Sequence, residues 1–220
     1  MFTYLDFDNW NRKDHFKFFC QMEEPFFGIV YDLDCTSAYQ TCKENGYSFF
    51  AYYLHKILVA VNETENLKYR IKNGKVIVYD VIDASATISR ADTTFGFSYM
   101  KFDENFDIFQ QNVTSETTRV LQTTGLFTRE FDFDNLIHFS ALPWIKFTSL
   151  SHSRSFKMED SCPKITVGKM TVSEEGLRSM PISIHVHHGL ADGYHVGLFL
   201  EKLQELLNPS FHKITDANNL

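Results

Sequence analysis

The sequence predicts an α/β two-layer sandwich built on a mixed sheet, and three observations carry that expectation. Runs of β-branched and aromatic residues interleave with helical stripes, but without the regular alternation that a doubly wound sheet requires. An Asn73-Gly74 pair separates two alternating runs and marks a hairpin, because it readily supplies two positive φ angles. Neither G-x-G-x-x-G nor a Walker loop occurs, so the phosphate cradle of a Rossmann-type sheet is missing. A chain of 220 residues suits one domain, 1–220.

In chain order, Phe26 to Asp34 reads as a strand, and Asp34-Cys35-Thr36 caps a short helix from Ser37 to Asn45 before Gly46. Phe49, Phe50, Tyr53, Leu54, Ile57, Leu58 and Val61 recur every three or four residues, the stripe of an amphipathic helix. The runs LKYRIK and KVIVYD flank Asn73-Gly74 as hairpin strands. Thr87 to Arg90 and Phe95 to Phe102 read as strands, and Glu104 to Gln122 as a helix ended by Gly125. Four further strands are expected at 136–140, 147–153, 164–170 and 181–188, followed by a helix carrying Val196, Phe199, Leu200, Leu203, Leu206 and Leu207.

Composition excludes several function classes. The net charge of −7, with no Lys/Arg-rich run, is wrong for a protein that neutralises many phosphates, so no nucleic acid is expected. No apolar run could span a bilayer, and the acidic, aromatic start lacks the basic segment of a signal peptide. A soluble, cytoplasmic protein without a membrane partner is the expectation. Cys20, Cys35, Cys42 and Cys162 are scattered without C-x-x-C spacing and read as reduced thiols, mostly buried. With 44% hydrophobic residues and 22 Phe, there is material both for a dense core and for apolar pocket walls.

The segment HVHHGLADGYHVGLFLEKLQELL, from His185, carries the chemistry, at a junction of strand and helix. Alternation places Ile182, Ile184, Val186 and His188 on one face, and Ser183, His185 and His187 on the other. An imidazole at the end of an apolar strand face is kept neutral by desolvation and can accept a proton, although a core histidine bonded to backbone has the same pattern. Asp192 can equally be the N-cap of the last helix. The alternation splits His185, His187, His188 and His195 between faces, and no Cys or acidic set completes a tetrahedron, so no metal is expected. No G-x-S-x-G elbow supports a Ser-His-Asp hydrolase, which leaves non-covalent acyl transfer.

HHGLADGYHV closely resembles the H-H-x-x-x-D-G-F-H-V segment of the chloramphenicol acetyltransferases. SALPWIKFTS from Ser140, PKITVGKM from Pro163 and NWNRKDHFKFF near the start resemble three further family segments, in the family's order and spacing. The resemblance implies the CoA-dependent acyltransferase fold, an α/β (α+β) two-layer sandwich with a mostly antiparallel mixed sheet. It implies acetyl-CoA as cosubstrate, a small-molecule acceptor, and homotrimers with active sites between subunits. His188 would be the general base, Ser140 the hydrogen-bond donor to the oxyanion, and Thr166 the holder of a water that supports the intermediate. Asp192 would pair with Arg12 to support the site. Lys169 would lie near the 3′-phosphate of CoA, and Trp144 on the CoA side.

For the acceptor pocket the resemblance selects Phe18, Phe19, Phe95, Phe127, Leu150, His152, Arg154 and Lys164. Phe19 stands where drug-modifying members have a tyrosine. His152, Arg154 and Lys164 place polar groups on a face that is apolar in those members, so either they pair with acids or the acceptor is polar. The expected reaction is acetylation of a hydroxyl of chloramphenicol or a similar acceptor, by direct attack in a ternary complex. The same chemistry on a more polar acceptor and a trimeric ligand-binding homologue without turnover are the alternatives. A dihydrolipoamide acyltransferase core, which carries a related H-x-x-x-D-G, fits less well because of S-A-L-P-W.

Overall fold

The computed structural model describes residues 1–130, 134–154 and 159–209. The tail of the expected domain, 210–220, lies outside them. The elements run β1 (Phe2–Tyr4), α1 (Lys13–Phe19), β2 (Phe26–Asp34), α2 (Thr36–Asn45) and α3 (Phe49–Glu63), then a 3-10 turn, Glu65–Lys68. There follow β3 (Tyr69–Lys72), β4 (Lys75–Tyr79), β5 (Asp83–Ser89), β6 (Phe95–Phe97) and α4 (Phe106–Leu121). The chain continues through β7 (Leu136–Ala141), β8 (Lys164–Val167), β9 (Thr171–Val172), β10 (Arg178–His187) and α5 (Gly193–Leu207).

The main sheet has the order β2-β10-β8-β7-β5-β6, with β9 added to β10. Only the β5–β7 and β7–β8 pairs are parallel; the others are antiparallel. This is the mixed sheet that the residue pattern predicts and the mostly antiparallel one that the family resemblance implies. Helices α2 to α5 cover one face, burying Leu54, Ile57, Phe109 and Phe199 against Phe139, Ile165, Ile184 and Val186. The helical stripes have one apolar face each, and burial of that face is what holds them on the sheet. Ser48 caps α3 through Ala51 N, and Asn105 caps α4 through Asp107 N, so α4 starts later than Glu104.

The hairpin turns on Asn73 (φ 53°) and Gly74 (φ 70°), as its sequence requires. β1 joins β4 on the far side of β3 to make a separate three-stranded sheet that the sequence reading did not foresee. The expected strand 164–170 ends at Val167, and two others differ more. The run from Phe95 to Phe102 is regular only to Phe97, because the Glu116 carboxylate takes Tyr99 N and the Asp83 carboxylate takes Phe102 N. The run 147–153 is not a strand: both sides of β8 in the sheet are already occupied, by β7 and β10, so it finds no ladder partner among the described residues. It passes over the outer face of the sheet instead, where the His152 ring meets that of His185 at 4.9 Å.

Register builds two polar rows across that outer face. One is Ser85, His138, Lys164, His185 and Gly28; the other is Thr87, Ser140, Thr166 and Ser183. Gly28 is required in its row, since a Cβ there would come within 2.3 Å of the His185 ring.

Candidate active site

His188 sits one residue beyond β10, its backbone N–H donating to Pro25 O at 2.8 Å. Its ring is stacked on Phe19 (centroids 3.8 Å apart, planes 9° apart) and tilted against Phe27 at 4.5 Å. These two contacts fix the ring plane. His188 Nδ1 is buried with no hydrogen-bond partner among the described residues, which leaves Nε2 as the nitrogen available for proton transfer.

A guanidinium holds the chain around it. Arg12, with a side chain only 9% exposed, donates from Nη1 to Asp192 Oδ2 and from Nη2 to His188 O at 3.2 Å. Asp192 is the N-cap of α5: its Oδ1 accepts from Tyr194 N at 3.0 Å and lies 2.7 Å from His195 Nδ1. Burial raises the Asp192 carboxyl, but the hydrogen bond and charge of Arg12, with His195 adding to both, bring it down to about 2. Asp192 is thus both the helix cap and the Arg12 partner. Neighbouring His187 is buried and accepts from Gly189 N on Nδ1; burial, then the charge of Arg154, lowers it to about 4.

The second part of the site lies on the outer face of the sheet. Thr87 Oγ1 is 3.4 Å from Ser140 Oγ, and Thr166 is the register partner of Ser140. A cavity of about 640 Å³ opens over Thr87 and Ser140, walled by Phe95, Phe97 and Phe127, with Ser140, His152 and Lys164 among its polar groups, while Thr166 is buried beside it with Oγ1 3.5 Å from His152 Nε2. Lys164 Nζ donates to Asp160 Oδ2 at 2.7 Å and to Cys162 O at 3.3 Å. Arg154 is bonded to Glu24, lies 3.5 Å from Asp160 and stacks over Phe26 at 3.6 Å. The two cations therefore pair with acids, which is one of the two outcomes their charge allowed. Burial, then the charges of His185 and Lys164, puts His152 at about 4, a neutral imidazole.

The expected pocket residues divide between these parts. Phe19 belongs to His188, with Phe18 beside it and 58% exposed. Phe95, Phe127, His152 and Lys164 belong to the cavity with Ser140. Leu150 is half-buried and its backbone bonds the His185 ring, outside the cavity lining, and Arg154 turns to Glu24. His152 and Arg154 are carried by an irregular segment and not by a strand face. Trp144 and Lys169 are exposed on the connections after β7 and β8, joined by the bond from Lys169 N to Ile145 O at 2.8 Å.

His188 and Ser140 do not meet in one chain. His188 is five residues past Ser183, and Ser140 is two strands across from it, a separation of about 19 Å at the usual rise and strand spacing. Sequence reasoning missed Phe27, Phe97 and His138, although each has the parity of a site neighbour in its strand. It also missed Asp160, four residues before Lys164, and Glu24, whose contact with Arg154 spans 130 positions.

The family model for chloramphenicol acetyltransferase matches residues 1–204. The chain belongs to the chloramphenicol acetyltransferase family. Chloramphenicol acetyltransferase 3 of Escherichia coli is 32% identical over 209 residues, 94% of this chain and 97% of that protein. A solved chloramphenicol acetyltransferase structure, 31% identical, superposes with a TM-score of 0.85 and covers 94% of this chain and 100% of its own. A probable dihydrolipoamide acetyltransferase from Listeria monocytogenes, 15% identical with a TM-score of 0.63 over 92% of each chain, shares the fold alone. As a member of the chloramphenicol acetyltransferase family, the chain is an acyltransferase with the CoA-dependent acyltransferase fold.

Proposed function

We propose that the protein transfers the acetyl group of acetyl-CoA to a hydroxyl of chloramphenicol or a similar small acceptor, with His188 as general base. The observation that carries this is the setting of His188. Its ring is clamped by Phe19 and Phe27, its carbonyl is held by Arg12, and Nδ1 is buried, so Nε2 is the exchangeable position. Nε2 takes the acceptor's hydroxyl proton as the oxygen attacks the thioester carbonyl in a ternary complex. The tetrahedral oxyanion is stabilised by the Ser140 hydroxyl and by a water on Thr166. Collapse breaks the C–S bond, and the CoA thiolate recovers the proton from His188. Lys169 and Trp144 take the CoA side, and no metal enters the reaction.

The site is completed between subunits of a homotrimer. Its supports are the separation of His188 from Ser140 within one chain and the exposure of Phe18 (58%) and Phe127 (71%). Among the described residues the outer edge of β2 and the run 147–153 have no strand partner, which also fits a neighbouring copy that supplies each with one. No helix among the described residues is long and apolar enough to cross a membrane, in keeping with a cytoplasmic enzyme. A more polar acceptor is the second reading, supported only by the polar character of His152 and Lys164 in the cavity lining, since Lys164 already pairs with Asp160.

The test is release of CoA thiol from acetyl-CoA with chloramphenicol, comparing wild type with His188→Ala. Turnover that falls by at least about 10³-fold in a folded variant supports the reading. Substantial activity in the variant overturns the base assignment. No wild-type turnover with chloramphenicol overturns the drug as acceptor.

A further inference from the structure

We propose that His195 is a positioning residue for His188, acting through Asp192 and Arg12. This rests on His188 being the base. His195 occupies the third position of α5, and its Nδ1 lies 2.7 Å from Asp192 Oδ1 and 3.2 Å from Asp192 N. One ring nitrogen cannot donate to the carboxylate and accept from the amide together. The carboxylate is ionised, being bonded to Arg12 through its other oxygen, and a lone pair facing it at 2.7 Å would be repelled. Nδ1 therefore carries the proton and donates to Oδ1.

The consequence is a continuous chain of polar contacts from His195 to the base. His195 Nδ1–H holds Oδ1; Oδ2 receives Arg12 Nη1; and Arg12 Nη2 holds the carbonyl of His188. A carboxylate alone at a helix N-terminus is free to turn about χ2. With Oδ1 fixed by both Tyr194 N and His195, its plane is set and Oδ2 must face Arg12. His195 is well placed to do this because its side chain is only 15% exposed. The backbone of His188 is anchored on the other side by Pro25 O. Loosening Arg12 leaves that one anchor and lets the imidazole shift relative to the acceptor oxygen. His195 also stands at the return position of a capping box, 3.2 Å from Asp192 N, but the Tyr194 N–H is met by Asp192 alone, and the shorter contact of His195 is the one to the carboxylate.

The variants that test this are His195→Leu, which removes the donor, and His195→Gln, whose amide can restore it. Thiol release with acetyl-CoA and chloramphenicol should show kcat lowered on the order of 10- to 100-fold in His195→Leu with KM for both substrates nearly unchanged. His195→Gln should recover most of the loss. The ring resonances of His188, followed in 13C-labelled protein, should move in His195→Leu and return in His195→Gln. If the two variants behave alike, with unchanged kcat, unmoved His188 resonances and only a lower melting temperature, His195 is a helix cap and the proposal falls. The NMR arm reads His188 directly. A protein inactive with chloramphenicol whose His188 signals still follow His195 therefore sinks the drug reading while sustaining this one.

Discussion

Replacing Arg12 by Val removes a cation that ties α5 to the main chain of His188. The guanidinium is 9% exposed on its side chain and makes bonds to both Asp192 and His188 O, whereas Asp192 is 30% exposed and keeps His195. Breaking a buried ion pair typically costs 3–5 kcal/mol, and the partial exposure of Asp192 puts this one near the lower end, at about 3 kcal/mol. For a chain of this length that corresponds to a melting temperature lower by about 6–12 °C. The pH dependence has a definite sign. The Asp192 carboxyl is depressed from 3.8 to about 2, so its stabilisation is complete above about pH 5 and lost as pH falls through about 2. The depression corresponds to at most ~2 kcal/mol, reduced further by solvent screening of a partly exposed carboxylate. Thermal unfolding at matched protein concentration should therefore show a wide gap between wild type and Arg12→Val at neutral pH that narrows below about pH 4. A loss under about 2 °C at neutral pH, or a gap that does not change on acidification, would refute this reasoning.

Ser140→Ala should lower kcat/KM by about 10²–10³-fold if its hydroxyl meets the oxyanion. Because the side chain is part of an open cavity floor, its urea midpoint should stay close to wild type. His187 is lowered from 6.5 to about 4, chiefly by burial. Its neutral form thus contributes stability that is complete above about pH 6.5 and lost as pH falls through about 4. Urea midpoints should fall between neutral pH and about pH 5 more steeply in wild type than in His187→Gln, and equal slopes would assign the acid sensitivity elsewhere.

Local patterns were readable wherever the local signal and the tertiary environment agree. The α3 stripe, the Asn73-Gly74 turn and the β10 alternation each describe one face of one element, and each is found as the sequence has it. The run 147–153 shows the limit. Its alternation is genuine strand chemistry, but a strand also needs an edge to pair with, and among the described residues β7 and β10 already flank β8 there. The same holds for Phe95 to Phe102, where two carboxylates from elsewhere in the chain take the amides of the ladder.

The sequence by itself determined the reaction class and the site vocabulary. His188, Asp192 and Arg12 stand in motifs whose spacing is local or matches a family, and in the structure the Arg12 guanidinium joins the Asp192 carboxylate to the backbone carbonyl of His188. What only the tertiary structure decided is which groups share a charge and which share a space. Along the chain Lys164 and Arg154 could either pair with acids or face a polar acceptor, and it is Asp160 and Glu24 that neutralise them. Likewise Ser140 and His188 belong to one proposed mechanism but lie at different places on the sheet. Strand register sets both results, because it fixes distances between residues far apart in sequence, and periodicity along a chain carries no information about those distances.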